Sequence, residues 1–252
     1  SDLQSGLALL RNKEQCHVGP KMEPDGVLMA QCRSNLPFKL TGDQERAVTE
    51  ISQDMQDERP MQRLLQGDVG SGKTVVATLS LVKAVENGYQ AVIMAPTEIL
   101  ATQHYEGITE FCKTLPINIA LLTGSTPKKE KDRIYEELAN GTIQLIIGTH
   151  ALIQDKVQFK NLGLVIIDEQ HRFGVKQRRL FREKGENPDV LMMTATPIPR
   201  TLAITAFGEM DVSLIDELPA GRKPIVTRWV KHEQLDKVLP WVKEQLKKKE
   251  QV

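Results

Sequence analysis

The sequence lacks three features that would each indicate a class of protein. It has no apolar run of the length, about 18 residues, that a membrane-spanning helix requires. It has no excess charge of either sign, because 33 basic and 33 acidic side chains cancel. A neutral total excludes a histone-like basic protein but allows a local basic surface on one face.

Cysteine is also scarce. The three cysteines, Cys16, Cys32 and Cys112, are odd in number and include no C-x-x-C pair. We therefore expect reduced thiols in a cytoplasmic protein. The alternative, a zinc site built from Cys16, His17 and Cys32, lacks a fourth ligand at the usual spacing.

One segment matches the pattern G-x-x-x-x-G-K-[ST] of a phosphate-binding loop, namely Gly67-Asp68-Val69-Gly70-Ser71-Gly72-Lys73-Thr74. It lies between a short, partly apolar stretch at 61–66 and an apolar, helix-like stretch at 75–82. Glycines let consecutive N–H groups turn inward around a phosphate, and the following helix presents its positive end to the same anion. Lys73 is expected to reach the outer phosphates, and Thr74 to ligate Mg²⁺. A glycine-rich turn that matches by chance is the alternative.

Short, continuous apolar runs alternate with helical patterns between residues 36 and 218. The runs lie at 91–94, 119–122, 143–147, 164–167 and 190–193. Runs of this kind are typical of strands buried on both faces of a parallel sheet. The pattern predicts a doubly wound α/β domain, with a mostly parallel sheet and helices on both faces. Ligands in such folds bind beyond the carboxyl ends of the strands.

The pattern changes on both sides of this domain. Residues 1–35 show weak helical periodicity and are interpreted as a helical lead-in from a preceding region. Residues 219–252 are interpreted as a linker and the start of a second, truncated motor domain, with a strand at 225–230 and a helix at 232–249. The alternative is that this last segment packs onto the first domain.

Two adjacent acids, Asp168 and Glu169, end the apolar run at 164–167. Phosphoryl transfer needs an acid that holds Mg²⁺, commonly through water, and we expect Asp168 in that role. It also needs a group that orients and deprotonates the attacking water, which we expect to be Glu169. An Asp-Glu pair is common in surface turns, so it indicates a catalytic site only in combination with the phosphate loop.

The order of these motifs resembles the first motor domain of the helicase superfamily that includes the DEAD-box proteins, and most closely the RecG-type ATP-dependent DNA helicases. The resemblance is carried by the segments 36–44, 67–74, 95–101, 148–152, 168–175 and 194–202. Transcription-repair coupling helicases share much of this pattern but usually have Glu where this chain has Gln170. The resemblance implies a RecA-like P-loop NTPase domain that uses ATP and Mg²⁺.

The resemblance also implies roles around the nucleotide. Gln44 resembles the glutamine that reads the adenine edge, since its amide pairs with both a donor and an acceptor. Phe38 is expected to stack on adenine, with an ordinary core position as the alternative. Thr194 and Thr196 resemble the residues that link the ATP site to DNA movement. His171 is expected to bridge the acids to that segment, with a structural histidine as the alternative.

Three loops, each following a strand, resemble the nucleic-acid track of the family. They are Pro96-Thr97-Glu98, Thr123-Gly124-Ser125 and Gly148-Thr149-His150. Arg200 adds positive charge. Because hydroxyls and N–H groups contact phosphates and not bases, the expected DNA binding has no base-sequence preference.

The function implied by the resemblance is an ATP-driven DNA helicase or translocase. It would unwind or remodel branched DNA, such as replication forks and Holliday junctions, in recombination and repair, in the cytoplasm of a bacterial cell and acting on the nucleoid. In the family a second motor domain supplies arginines that stabilise the transferring phosphate. We therefore expect these 252 residues alone to be a half-motor that binds Mg–ATP weakly and hydrolyses it poorly or not at all.

Two other functions remain as alternatives. One is a nucleotide-dependent module that grips DNA without moving it, which the complete Asp168-Glu169 pair disfavours. The other is an RNA helicase of the same superfamily. A DEAD-box enzyme has Ala-Asp after its Asp-Glu and Ser-Ala-Thr in the later motif, whereas this chain has Gln170-His171 and Thr194-Ala195-Thr196.

Overall fold

Seven strands of the chain form a single sheet. In the computed structural model the described residues are 18–169, 184, 187–196, 210–217 and 235–247. The strands are β1 (Gln62–Gly67), β2 (Gln90–Met94), β3 (Ile119–Leu122), β4 (Leu145–Gly148), β5 (Leu162–Glu169), β6 (Asp189–Thr194) and β7 (Asp211–Ile215). Their order across the sheet is β3-β4-β2-β5-β6-β1-β7, and every neighbouring pair is parallel. The carboxyl ends of all seven strands therefore lie along the same side of the sheet, which is called its carboxyl edge below.

Helices connect the strands. They are α1 (Val27–Asn35), α2 (Gly42–Asp54), α3 (Lys73–Glu86), α4 (Glu98–Cys112), α5 (Lys128–Asn140), a 3₁₀ helix at His150–Ile153, and α6 (Leu235–Lys247). None of the helices within the described ranges is long and apolar enough to cross a membrane.

The sheet is covered on both faces, as strand β2 illustrates. Ala91 and Ile93 belong to a buried cluster with residues of α1 to α4, whereas Val92 and Met94 belong to a second cluster with α5 and the 3₁₀ helix. Alternate residues of a strand point to opposite faces, so each face has its own core. Burying one Val or Ile side chain fully contributes about 1.5–3 kcal/mol. The predicted doubly wound fold is confirmed.

The sequence prediction omits strand β7. This strand lies at one edge of the sheet and alternates exposed residues, such as Asp211 and Leu214, with the buried Ser213 and Ile215. A continuous apolar run marks only strands that are buried on both faces. An edge strand with one polar face therefore gives a weaker signal.

The first turn of α2 is tied to the end of β7. Thr41 and Gln44 form a reciprocal capping box at the start of the helix. Asp43 Oδ2 accepts hydrogen bonds from the N–H groups of Asp216 and Glu217, both at 2.9 Å. The N–H groups of Glu217 and Asp216, helped by Arg46, lower the pKa of Asp43.

The chain divides into two compact units, Ser1–Ala220 and Gly221–Val252. In the first unit, the lead-in packs onto the domain through α1, where Met29 and Cys32 are buried. Lys83 of α3 is 1% exposed and holds the segment before α1 through the Glu23 carbonyl and the Asp25 carboxylate. In the second unit the described part is α6, which lies within the helix expected at 232–249. The strand expected at 225–230 is outside the described residues.

Candidate nucleotide and nucleic-acid site

The phosphate loop connects β1 directly to α3. Gly70 and Gly72 have positive φ values of 78° and 90°, and the Ser71 N–H donates to the Asp68 carbonyl at 3.0 Å. Helix α3 starts at Lys73, and no side chain among the described residues caps it. The first N–H groups of a helix have no partner within the helix, so this end is suited to bind an anion.

Lys73 lies over its own loop. Its ammonium donates to the carbonyls of Gly67 at 2.6 Å and Asp68 at 2.9 Å. Burial lowers the pKa of Lys73, while the negative charges of Asp168 and Asp68 act in the opposite direction. The lysine and the acid at the end of β5 therefore interact electrostatically across the intervening strand β6.

Gln44 contacts the phosphate loop from α2. Its side-chain nitrogen donates to the Ser71 carbonyl at 2.7 Å, and its oxygen accepts from the Thr41 N–H at 3.0 Å. A Cβ added at Gly72 would lie 2.2 Å from the same Gln44 nitrogen. Glycine is favoured at position 72 by its left-handed backbone, and an added Cβ would also force the Gln44 amide to move.

Phe38 lies on the surface just before α2. It is 46% exposed and packs edge-on against Phe111 of α4, with ring centroids 6.3 Å apart. An exposed ring held at one edge offers its faces for stacking on a flat ligand.

Thr194 ends β6, the strand next to β1, and Asp168 is the penultimate residue of β5, on the other side of β6. In the register of the sheet, Asp168 pairs with Met193, and Thr194 pairs with both Gln66 and Glu169. The Thr194 and Thr196 hydroxyls lie 2.8 Å apart, and the Thr196 N–H donates to Thr194 Oγ1. The end of β6 therefore lies between the phosphate loop and the acid. The predictions for the Glu169 side chain and for His171 lie outside the described residues.

His104 is a site residue that sequence reasoning missed. Its Nε2 lies 2.6 Å from Asp168 Oδ2, and the residue is 8% exposed on α4. A signal was present in the sequence, since His104 falls with Ala101 and Ile108 on the buried face of this helix. A polar residue on such a face needs a partner, because burying an unpaired polar group costs free energy.

The three candidate DNA loops lie side by side at the same edge. They follow β2, β3 and β4, which are neighbours in the sheet. Pro96, Thr97, Gly124, Ser125 and His150 are exposed. The sheet therefore brings together at one surface loops that are far apart in sequence.

Glu98 organises this surface. Its carboxylate accepts from the Ser125 N–H at 3.0 Å and from the Ser125 hydroxyl at 2.7 Å. The Ser125 hydroxyl and N–H, with the Gly124 N–H, lower the pKa of Glu98. Lys131 of α5 donates to the Gly124 carbonyl at 2.8 Å. Glu98 thus holds a neighbouring loop in shape.

The loop after β4 is partly interior. Thr149 is 2% exposed, and its hydroxyl has no hydrogen-bond partner in the described part of the chain. A Cβ at Gly148 would lie 2.1 Å from the Leu122 carbonyl oxygen, so glycine permits β3 and β4 to approach each other here. Thr123 is also buried and pairs with Ser125. Arg200 lies outside the described residues.

The chemistry of the loop fits a nucleotide phosphate and Mg²⁺. Ser71 Oγ is buried and has no partner within the described ranges, inside a loop whose glycines leave room for close approach. Thr74 and Asp168 offer a hydroxyl and a carboxylate, the oxygen ligands that Mg²⁺ prefers. A triphosphate and its metal are therefore compatible with these residues.

Comparison with known proteins agrees with this geometry. The model of the DEAD/DEAH box helicase family matches residues 41–204. The ATP-dependent DNA helicase RecG of Streptococcus pneumoniae is 63% identical over 218 residues, which cover 86% of this chain and 32% of that protein. RecG of Aquifex aeolicus is 52% identical over 246 residues, which cover 96% of this chain and 31% of that protein.

A solved structure leads to the same family. The structure of RecG bound to a three-way DNA junction matches with a TM-score of 0.85 and 45% identity, over 96% of this chain and 33% of that one. The chain thus spans about a third of the length of these RecG proteins. The resemblance found in the motifs is confirmed: the chain belongs to the DEAD/DEAH box helicase family.

Proposed function

We propose that this chain is the ATP-binding motor domain of an ATP-dependent DNA helicase or translocase. The whole protein would couple ATP hydrolysis to unwinding or remodelling branched DNA, including replication forks and Holliday junctions, in recombination and repair. One observation carries the proposal: the phosphate loop after β1 and Asp168 at the end of β5 lie at the same carboxyl edge of the sheet, with only the end of β6 between them. The similarity to RecG proteins supports DNA as the substrate.

At the nucleotide site, side chains and N–H groups of this chain bind the phosphates and orient the attacking water. Lys73 exchanges its bonds to loop carbonyls for bonds to the outer phosphates, and the loop N–H groups hold the inner ones. The Thr74 hydroxyl and the Asp168 carboxylate would hold Mg²⁺, which would supply positive charge to neutralise the transferring phosphate. Glu169 orients the attacking water and accepts its proton.

Adenine recognition is assigned to one residue in the first turn of α2 and one just before it. Each end of the Gln44 amide has one protein partner, but an amide carries two hydrogens and two lone pairs. It therefore retains the capacity to pair with adenine from a fixed position. The exposed ring of Phe38 stacks on the base.

On the nucleic-acid side, Thr97, Ser125 and His150 contact the DNA backbone, with Glu98 fixing Ser125. Arg200 adds a positive charge. Backbone contacts give binding without base-sequence preference. The intramolecular partner is a second motor domain that closes over the ATP. Because the substrate is chromosomal DNA, we place the protein in the bacterial cytoplasm, acting on the nucleoid.

The test is ATP turnover by the 252-residue chain with and without forked DNA, beside Lys73→Ala. We expect weak nucleotide binding that Lys73→Ala abolishes, and little turnover, since the family's arginines come from a second motor domain. Turnover that rises with the fork, or unwinding by the chain alone, contradicts the half-motor expectation. Nucleotide binding that survives in Lys73→Ala contradicts the site itself.

The two alternative functions give different results. In an active motor, Glu169→Gln should keep nucleotide binding and abolish turnover. In a pure binding module, the same substitution should change neither property. Competition between DNA and RNA forks separates the other alternative. Tighter binding of the RNA fork would contradict DNA as the substrate.

A further inference from the structure

A short side-chain contact with Asp168 of the candidate metal site comes from α4, the helix that begins at the candidate DNA loop after β2. His104 Nε2 lies 2.6 Å from Asp168 Oδ2, with the two side chains only 10% and 22% exposed. His104 belongs to α4, whose first residue, Glu98, fixes the Ser125 loop. The strand before α4 is β2, and the strand that carries Asp168 is its neighbour β5.

The contact constrains the acid. An ionised carboxylate only accepts hydrogen bonds, so in this pair the His104 Nε2–H group is the donor and Asp168 Oδ2 is the acceptor. Hydrogen bonds to ionised acceptors are short and stronger than neutral ones. Fixing Oδ2 restricts rotation of the carboxylate and so determines where Oδ1 points.

Helix α4 is a firm support for this bond. The Thr97 side chain caps the helix by accepting from the Leu100 N–H at 3.2 Å. Ala101 and Ile108, on the same face as His104, are 0% exposed. A histidine held between buried neighbours has little freedom to turn away.

We propose that His104 is a positioning residue for Asp168, which it holds in the orientation that binds Mg–ATP. The inference rests on the proposed ATP site. Groups that orient a metal ligand affect metal affinity without touching the metal, and losing one typically costs about 10–100-fold. The effect should therefore appear in the metal-dependent part of nucleotide affinity.

The experiment measures the affinity of the chain for a fluorescent ATP analogue, once with Mg²⁺ and once with EDTA. In His104→Leu we expect the gain in affinity that Mg²⁺ provides to fall by about tenfold or more, with the affinity in EDTA unchanged. His104→Gln should restore most of the gain, because its amide nitrogen lies about as far from the backbone as Nε2. His104→Asn is also polar but shorter, and should behave like His104→Leu.

A matched control separates positioning from loss of packing. Ile108→Val loosens the same buried face of α4 without touching Asp168, and it should keep the Mg²⁺-dependent gain. An undiminished gain in His104→Leu and His104→Asn overturns the inference. So does an equal loss of affinity with Mg²⁺ and with EDTA, which would indicate a structural role.

Failure of the proposed function looks different. If the unsubstituted chain binds the analogue no better than Lys73→Ala, the ATP site itself is wrong and this inference falls with it. If the unsubstituted chain shows the gain and the His104 variants do not lose it, only the inference fails.

Discussion

The carboxyl edge of the sheet has two halves that differ in burial. The half formed by β5, β6 and β1 carries the ATP groups, and its Ser71, Gln44 and Thr194 are buried. The half formed by β3, β4 and β2 carries the candidate DNA loops; Thr97, Ser125 and His150, which are proposed to contact DNA, are exposed, whereas Thr123 and Thr149 are buried. A triphosphate is best held by preorganised groups shielded from water, whereas a long polyanion needs an open surface.

The same difference explains how clearly each half appears in the sequence. A buried phosphate site needs specific residues at fixed spacing, so the phosphate loop is recognisable on its own. An exposed backbone-binding surface is built from Thr, Ser and Gly, which are common in loops. Substitutions that act on one half alone test whether the halves are separate.

After Lys73→Ala, the largest expected effect comes from Gly72→Ala. A left-handed backbone costs a non-glycine residue about 1–2 kcal/mol, and the new Cβ also meets Gln44. We expect nucleotide affinity to fall at least about tenfold, equivalent to about 1.4 kcal/mol, with DNA affinity unchanged. The measurement is equilibrium binding of a fluorescent nucleotide.

Gly88→Ala is the matched control. Gly88 has a similar φ of 80°, but a Cβ there meets no atom within 4 Å. It lies between α3 and β2, at the opposite edge of the sheet. Equal losses of nucleotide affinity in the two variants would mean that general destabilisation of the fold, and not a local change at the phosphate loop, is responsible.

Gly148→Ala should act on the other half. The new Cβ lies 2.1 Å from a backbone oxygen, so β3 and β4 must separate at their carboxyl ends. Overpacking of this kind costs about 1–3 kcal/mol. We expect a lower free energy of unfolding in a denaturant titration and weaker binding of forked DNA, with nucleotide affinity retained.

Gly107→Ala provides the comparison for this variant. Gly107 lies within α4 and has no atom within 4 Å of an added Cβ. Alanine in a helix is favoured over glycine by about 0.5–1 kcal/mol, so this variant should be slightly more stable. If Gly148→Ala lowers nucleotide affinity as strongly as DNA affinity, the two halves are not independent.

Glu98→Ala should weaken DNA binding a few-fold, because the Ser125 loop loses the carboxylate that orders it. Glu98→Gln keeps an acceptor and should retain most of the affinity. Since the pKa of Glu98 is lowered in the fold, the contribution of this bond is present above the ordinary carboxyl pKa and is lost as pH falls through the lowered value. Fluorescence anisotropy with forked DNA measures the effect. Tighter DNA binding by Glu98→Ala would show that charge repulsion outweighs loop order.

The smallest functional effect is expected from Asp189→Asn, at the amino edge of the sheet. Asp189 is 0% exposed, its Oδ1 accepts from the Met61 N–H at 2.6 Å, and its Oδ2 has no partner in the described part of the chain. Burial raises the pKa of Asp189 well above its ordinary value, and the negative charge of Asp54 acts in the same direction. The hydrogen bond from the Met61 N–H acts in the opposite direction.

The sign of the pH effect follows from that shift. A raised pKa in the folded state gives stability that is complete below the ordinary carboxyl pKa and is lost as pH rises towards the raised value. Asp189→Asn removes the charge and should flatten the pH dependence of the unfolding free energy above the ordinary carboxyl pKa. Denaturant titrations across that range measure it, and an unchanged slope contradicts the prediction. Both binding activities should remain.

Much of the fold follows from local pattern. The apolar runs predict β2 to β6 within a few residues, and the helix-like stretch at 75–82 corresponds to α3, which starts at Lys73. The sequence pattern does not predict strand β7, because its edge position leaves one face polar. It does not predict the role of His104, because its partner Asp168 lies 64 residues away along the chain.

The sequence by itself determined the succession of strands β1 to β6 along the chain, the phosphate loop and the acids at the end of β5, because these depend on residues close together along the chain. The tertiary structure alone decided that β6 lies between β5 and β1, that Glu98 holds Ser125, and that His104 reaches Asp168. The order of the strands across the sheet depends on many small free-energy contributions from burying residues that are far apart in the chain, and no local pattern records their sum. Which polar groups meet is settled only once the sheet has brought its loops to one edge.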